Sequence, residues 1–178
     1  MSDDITNRAE SDRPHSSAVQ WLWLSVFVVA VDLSTKWLMK RCLVFNEPTA
    51  VIPGVFDLRL LYNHGAAFSF LAEHSGWQRW LFAIIAMAVV IGMVVWLLRM
   101  PRHRYWQAIP AALVIGGAIG NVYDRVIQGY VTDFLSFHWQ NVYYYPAFNV
   151  ADSAIVVGML MLIWDSLRNR NKMNNRIK

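Results

Sequence analysis

Residues 116–153 read GGAIGNVYDRVIQGYVTDFLSFHWQNVYYYPAFNVADS and connect one long apolar segment to another. Within this stretch lie three aspartates, Asp124, Asp133 and Asp152. An ionisable side chain costs about 2.5–3.5 kcal/mol at the middle of a membrane helix, and less near the membrane surface. Three aspartates at or near the ends of apolar segments therefore raise the hypothesis of a functional site.

The composition indicates a membrane protein with one domain. The chain has 178 residues, 56% of them hydrophobic, whereas soluble domains contain about 45–50% apolar residues. The net charge of +4 is typical of basic cytoplasmic loops, and we expect no nucleic-acid partner. Cys42 is the single cysteine, which excludes an intrachain disulfide and a cysteine-based metal site. The five histidines show no metal-ligand spacing, which argues against a zinc site.

Four apolar segments predict an all-α membrane protein with four transmembrane helices, at residues 18–39, 77–98, 105–127 and 147–167. Nineteen consecutive residues from Trp80 to Leu98 carry no charge, enough to cross about 30 Å of hydrocarbon. The first segment is too long for the apolar region of a cleaved signal peptide. We expect residues 1–17 to form a disordered tail and residues 168–178 a basic tail that frays.

Residues 40–75 differ from the apolar segments. Val55 to Leu60 alternate apolar and polar side chains, which predicts a half-buried strand. Pro53 and Gly54 just before it are typical of a tight turn. The pattern from Ala66 to His74 indicates a short interfacial helix. We therefore expect a small extramembrane β-sheet followed by a helix on the membrane surface.

The distribution of Lys and Arg predicts the orientation. Ten of these residues fall in the two tails and the 99–104 loop. Four fall on the other side: Lys40, Arg41 and Arg59 in the loop between the first two helices, and Arg79 at the start of the second. Basic loops face the cytoplasm, so we expect both termini to be cytoplasmic and residues 40–75 and 128–146 to lie outside. In this topology four segments bring polar side chains to one depth, near the outer surface: Asp32, Lys36, Asn63, Asn121, Asp124, Arg125, Asp133, Asn149 and Asp152.

Structural roles compete with functional ones at several of these positions. Asp32 and Lys36 are four residues apart, so an ion pair within one helix is their simplest role. Asp124 and Arg125 are adjacent, point in different directions and should pair with other groups. Arg125 is as compatible with a structural role as with a functional one. The asparagines satisfy the backbone near helix ends or orient a substrate peptide.

Asp133 and Asp152 are the two carboxylates that the connection between the third and fourth helices can bring together. Two carboxylates that share a site do not both ionise easily, so one retains a proton near neutral pH. The ionised carboxylate can then take a proton from water while the protonated one polarises a carbonyl. Ser69 and Ser153 have no suggestively placed histidine, and the chain has no HExxH sequence or glycine-rich phosphate loop.

Five blocks of this sequence resemble the lipoprotein signal peptidases, the bacterial inner-membrane aspartic proteases also called signal peptidase II. The blocks are Asp32-Leu-Ser-Thr-Lys36, Asn63-His-Gly-Ala-Ala-Phe-Ser69, Gly117-Ala-Ile-Gly-Asn-Val-Tyr-Asp-Arg125, Val131-Thr-Asp-Phe134 and Phe148-Asn-Val-Ala-Asp-Ser-Ala-Ile155. They occur in the family's order, and the resemblance covers about residues 18–167. It implies four transmembrane helices, an outer β-cradle and a short interfacial helix.

The resemblance also implies a role for each motif residue. Asp133 and Asp152 correspond to the two catalytic aspartates of the family. Asn121, Asp124 and Arg125 correspond to a supporting block, and Asp32 and Lys36 to a structural one. The positions expected to hold the substrate or to order the site are Asn63, Arg125 and Asn149.

The implied substrate is a prolipoprotein that already carries diacylglycerol on its lipobox cysteine. The family cuts just before that cysteine, needs no metal or cofactor, and is inhibited by the cyclic peptide globomycin. Membrane lipid is an implied partner, because the diacyl chains anchor the substrate in the bilayer. A proton-coupled transporter or channel subunit is the main alternative, and a non-catalytic membrane scaffold is the second. One-sided clustering of the polar residues and the absence of charge from Trp80 to Leu98 in the second helix argue against a transport path.

Overall fold

The computed structural model describes residues 17–65, 77–140 and 142–174. Its long helices are α1 (Leu22–Cys42), α2 (Trp77–Arg99), α3 (Tyr105–Ile127) and α4 (Val150–Asn174), and a 3₁₀ turn, Ala18–Trp21, precedes α1. Its strands are β1 (Pro48–Ile52), β2 (Phe56–Asn63), β3 (Val131–Trp139) and β4 (Tyr143–Tyr144). The expected N-terminal tail up to residue 16, the expected interfacial helix and residues 175–178 lie outside the described residues.

Three of these helices are long and apolar enough to cross a membrane: α1 with its 3₁₀ turn, α2, and α4 up to Arg170. Helix α3 occupies the centre of the bundle, where α1, α2 and α4 all pack against it. Gly116 and Gly120 face α1, and a Cβ on Gly116 would lie 2.7 Å from that of Val28. The four-residue spacing of these glycines thus allows the backbones of α1 and α3 to approach closely.

Helices α1 and α4 begin or end at residues other than those expected from the sequence. Helix α1 continues to Cys42, past the expected end at residue 39. Helix α4 begins at Val150 instead of residue 147, because Phe148 pairs with Leu135 of β3. It continues to Asn174 because residues 168–174 contain no proline or glycine to end it. Residues 168–174, which we expected to fray, are thus helical.

The strands form one antiparallel sheet in the order β1-β2-β3-β4. Strand β2 falls where the alternating pattern predicted it and extends to Asn63. Strand β3 was not predicted, because its first four residues are all buried and so lack the alternation of a half-buried strand. The sheet has four strands, whereas the sequence pattern located only one of them.

The turn between α3 and β3 positions the site. Gly129 has φ +84°, a left-handed conformation that a side chain would strain. Its N–H donates to the Arg125 carbonyl oxygen, 3.2 Å away, and so closes the last turn of α3. The chain then reverses, and β3 begins beside the end of the helix that it has just left.

Candidate active site

The polar residues predicted to share one depth do meet in one cluster, at the end of the bundle that the sheet covers. Helices α1, α3 and α4 and strands β2 and β3 each contribute to it. Asp32, Asp124, Asp133 and Asn149 are at most 2% exposed. The hydrogen bonds and ion pairs described below link the members of this cluster: Asp32, Lys36, Asn63, Asn121, Asp124, Arg125, Asp133, Asn149 and Asp152.

Asp133 lies on β3 and is held by two amide groups. Its Oδ1 accepts a hydrogen bond from Asn149 Nδ2 at 2.8 Å, and its Oδ2 accepts one from Asn63 Nδ2 at 3.1 Å. Leu61 is its partner across the strands, so Asn63 is its diagonal neighbour on the same face of the sheet. The register between β2 and β3 therefore positions one of its two amide donors.

Asp152 lies in the first turn of α4, in a reciprocal cap with Asn149. The Asp152 N–H donates to Asn149 Oδ1 at 2.9 Å, and the Asn149 N–H donates to Asp152 Oδ2 at 3.2 Å. This is the capping-box arrangement with Asn and Asp as its side chains. Asp152 Oδ1 accepts a further bond from Asn121 Nδ2 at 2.7 Å. The start of the helix and the orientation of this carboxylate thus depend on the same contacts.

Asn149 connects the two carboxylates. Its side chain caps α4 through Oδ1 and contacts Asp133 through Nδ2. The same Nδ2 lies 3.2 Å from Asn121 Oδ1 and 3.3 Å from the Thr132 carbonyl oxygen. Pairing of Phe148 with Leu135 brings Asn149 to this position. One fully buried amide therefore holds Asp133 and Asp152 in a single arrangement.

Lys36 is the positive centre of the cluster. Its Nζ lies 2.7 Å from Asp32 Oδ2, 3.1 Å from Asp124 Oδ2 and 3.1 Å from Asn121 Oδ1. The predicted ion pair within α1 is confirmed, and Asp124 of α3 extends it across two helices. Asp32 Oδ1 also accepts a bond from the Ala151 N–H at 2.9 Å. Asp32 thereby satisfies an amide of the first turn of α4.

Asp124 links the C-terminal end of α3 to the start of β3 by hydrogen bonding. Its Oδ2 accepts a hydrogen bond from the Thr132 N–H at 3.0 Å, and its Oδ1 accepts one from Gln128 Nε2 at 2.8 Å. Lys40 in turn donates to Gln128 Oε1. The sequence interpretation missed Thr132, Gln128 and Lys40 as contributors. Gln128 follows Asp124 by four residues, a spacing that could have indicated contact on one helix face.

Arg125 is half-buried and does not pair with its neighbour Asp124. Its Nη1 donates to the Asn121 carbonyl oxygen at 3.3 Å, and its guanidinium lies 5.6 Å from the centre of the Phe82 ring. The prediction that Asp124 and Arg125 have separate partners is confirmed.

The electrostatics distinguish Asp133 from an ordinary carboxylate. Burial, followed by the negative charge of Asp152, raises the pKa of Asp133 from 3.8 to about 7. Hydrogen bonds from Asn63 and Asn149 and the charge of Lys36 act in the opposite direction. Asp133 can therefore hold a proton near neutral pH beside a second carboxylate.

Within the described ranges, no group of three or more His, Cys, Asp or Glu side chains is placed to hold a metal ion. The expectation that the protein needs no metal or cofactor stays a prediction.

Apolar helices enclose a buried polar cluster with paired carboxylates, the chemical arrangement of an aspartic peptidase within a membrane protein. The family model described as signal peptidase (SPase) II matches residues 24–168. The chain belongs to the signal peptidase II family.

Relatives and solved structures agree with this assignment. The lipoprotein signal peptidase of Pseudomonas putida is 53% identical over 150 residues, covering 84% of this chain and 88% of that protein. The same-named protein of Pseudomonas syringae pv. tomato is 55% identical and covers 84% and 87%. A bacterial membrane enzyme solved by the in meso method is similar in structure with a TM-score of 0.74 and 28% identity, covering 87% of this chain and 98% of that one.

Proposed function

We propose that this chain is an aspartic endopeptidase that removes the signal peptide from diacylglyceryl-modified prolipoproteins. It cuts just before the lipidated cysteine. One observation carries the proposal within the family: Asn149 contacts both Asp133 and Asp152 in a buried cluster. This geometry gives two carboxylates different environments around one site, as acid and base chemistry on a peptide bond requires.

In the proposed mechanism the two aspartates share one proton. Asp133, whose pKa is raised to about 7, carries it. Asp152, at the N-terminal end of α4, accepts a proton from water as the water oxygen attacks the scissile carbonyl carbon, and the helix dipole favours its negative charge. Asp133 gives its proton to the carbonyl oxygen. The tetrahedral intermediate collapses when Asp152 returns a proton to the leaving nitrogen and Asp133 regains one from the intermediate.

The other cluster residues position this pair. Asn121 and Asn149 orient the carboxylates, while Asn63 orients Asp133 alone. Lys36 with Asp32 and Asp124 joins α1, α3 and α4 behind them. Arg125 is half-buried at the edge of the cluster, and we assign it to binding a carbonyl group of the substrate. This role fits a guanidinium whose donors exceed its one protein acceptor among the described residues.

The proposed topology has four transmembrane helices, with α3 as the fourth. Its polar end and the buried residues along most of its length suit a helix that three apolar helices shield from lipid. Both termini lie in the cytoplasm, and the sheet forms an extracytoplasmic β-cradle over the polar end of the bundle. The protein would thus reside in the bacterial inner membrane with its active site near the periplasmic face. The basic tails and the 99–104 loop support this orientation.

The substrate's two acyl chains explain why a membrane site is useful. They hold the modified cysteine at the membrane surface, so the scissile bond lies at the depth of Asp133 and Asp152. Helix α2 presents exposed apolar residues, among them Ile84 and Ile91, against which lipid and a signal helix can pack. A globomycin-type cyclic peptide would compete for the same carboxylates.

The test uses the full-length protein in detergent micelles with one prolipoprotein in two forms, with and without diacylglycerol on the cysteine. We expect cleavage of the modified form only, with the new N-terminus at the lipidated cysteine by mass spectrometry, and inhibition by globomycin. Equal cleavage of both forms, or a cut elsewhere, would contradict the substrate assignment. A cytoplasmic reporter fused after Lys178 should be active, and activity of an external reporter alone would contradict the topology.

A further inference from the structure

A concave surface lies toward the end of the bundle away from the aspartate pair. The groove between the first turn of α3 and the last turns of α4 has a volume of ≈ 490 Å³ and is lined mainly by Trp106, Leu160, Ile163, Trp164, Leu167 and Arg168. Asp165 also lines it and follows Asp152 by thirteen residues on α4. At 1.5 Å per residue, the groove and the aspartate pair are separated by roughly 20 Å.

The walls of this groove are apolar and uncovered by the described parts of the chain. Trp164 is 71% exposed, and Leu160 and Trp106 are 59% and 58% exposed. Most of the α4 wall lies within the segment apolar enough to cross a membrane. Tryptophans are typical of the depth where acyl chains meet lipid headgroups. The groove therefore has the chemistry of a surface that contacts both parts of a lipid.

The charges around the groove favour an anion. The Asp165 carboxylate accepts hydrogen bonds from Gln107 Nε2 at 2.7 Å and Asn169 Nδ2 at 3.1 Å, and these neutral amides leave its negative charge in place. Arg168 forms no ion pair within 4 Å with any residue in the described ranges. Arg104, from the basic 99–104 loop, contacts Gln107 at 3.5 Å. Arg104 and Arg168 together carry two positive charges against the one negative charge of Asp165, so the groove and its rim have a net charge of +1.

We propose that the groove binds an anionic glycerophospholipid of the cytoplasmic leaflet. Arg168 binds the phosphate, Trp106 and Trp164 lie beside the glycerol region, and the α4 wall holds an acyl chain. The choice of leaflet rests on the orientation under Proposed function, whereas binding itself does not require the peptidase activity. The site is separate from the one that takes the lipidated substrate.

The test measures quenching of tryptophan fluorescence by lipids with brominated acyl chains, using the full-length protein in mixed micelles. Brominated phosphatidylglycerol is compared with brominated phosphatidylcholine at equal mole fractions. We expect stronger quenching by phosphatidylglycerol, and loss of most of that excess when both groove tryptophans are replaced in Trp106→Phe/Trp164→Phe. Arg168→Gln should weaken the phosphatidylglycerol titration about tenfold. Arg170→Gln is the matched control, because two residues further along it points to nearly the opposite side of α4, and its titration should shift less than about threefold.

Four results would overturn the proposal. Equal quenching by both lipids would remove the requirement for an anion. An excess that persists in the Trp106→Phe/Trp164→Phe double variant would place the lipid elsewhere. Equal effects of Arg168→Gln and Arg170→Gln would indicate that binding depends on diffuse charge. A doubled mass in native mass spectrometry that excludes lipid would make a second copy the occupant. Loss of prolipoprotein cleavage bears only on the peptidase assignment, since quenching is read without substrate.

Discussion

Replacing Asn149 with serine separates the two tasks of the residue that joins the aspartate pair. Serine is a good N-cap, so it preserves the start of α4 by accepting the Asp152 N–H. Its side chain is too short to reach Asp133 Oδ1, and it removes the 2.8 Å amide bond. The variant therefore changes the position and ionisation of Asp133 while the helix remains capped.

The expected loss follows from the type of bond removed. Asp133 becomes charged as it gives its proton to the carbonyl oxygen, and a hydrogen bond to a charged group contributes about 1.5–3 kcal/mol. Loss of this bond at that stage corresponds to roughly a ten- to hundredfold lower kcat. Asn149→Ala should be similarly slow, and less stable than Asn149→Ser by about 1 kcal/mol because the cap is lost as well.

Cleavage of diacylglyceryl-modified prolipoprotein in micelles measures kcat, and thermal unfolding in the same detergent measures stability. Ser153→Ala is the control: Ser153 Oγ contacts only the Asn149 carbonyl oxygen among the described residues, at 2.9 Å. It should cleave at the wild-type rate, which would also exclude a serine nucleophile at this position. An Asn149→Ser enzyme that is folded and within twofold of wild type would refute the positioning role.

Three further predictions concern protonation, the ion pairs and helix packing. Because the folded protein binds the Asp133 proton more tightly than the unfolded chain, the free energy of unfolding should decrease as pH rises from 3.8 to about 7. The value of kcat/KM should fall as pH rises through about 7. Flat pH profiles for both quantities would contradict the shared proton. Lys36→Met leaves the buried carboxylates of Asp32 and Asp124 without their cation and should lower the free energy of unfolding by about 3–5 kcal/mol. A near-native melting temperature would refute the role of Lys36 as their counter-ion. Gly120→Ala places a Cβ 2.5 Å from Asp32 Oδ2 and should lower the melting temperature, whereas Gly92→Ala, with open space around it, should not; equal effects would contradict the packing.

The clustering of the polar residues at one end of the bundle could be predicted because it depends only on the orientation of each helix and on the position of each residue along it. Lys and Arg counts orient the helices, and position along each helix gives depth. Asp32, Asn121 and Asp152 lie on three helices, yet each falls at the same end for this reason. The ion pair within α1 was predictable from its four-residue spacing.

Contacts between helices and strands were harder to predict from the sequence. Lys36 reaches Asp124 and Asn121 because α1 and α3 approach closely at Gly116 and Gly120, and the rotation of each helix about its axis is set by that packing. Strand β3 was not predicted because its first four residues are buried on both faces and therefore lack the alternation of apolar and polar residues that marks a half-buried strand. Asn149 could be proposed as a site residue, but its double contact requires the pairing of Phe148 with Leu135, which no local pattern indicates.

The aspartate pair itself is tested by Asp133→Asn and Asp152→Asn, each assayed on diacylglyceryl-modified prolipoprotein after its fold has been checked by circular dichroism and size-exclusion elution. Asn keeps the size of the side chain and removes the acid. Asp57→Asn is the matched control, since Asp57 is a buried aspartate on β2 that faces His138 Nε2 at 3.1 Å. We predict that both dyad variants lose cleavage by at least about a thousandfold while Asp57→Asn retains it. Cleavage near the wild-type rate by a folded Asp133→Asn or Asp152→Asn protein would contradict the aspartic mechanism.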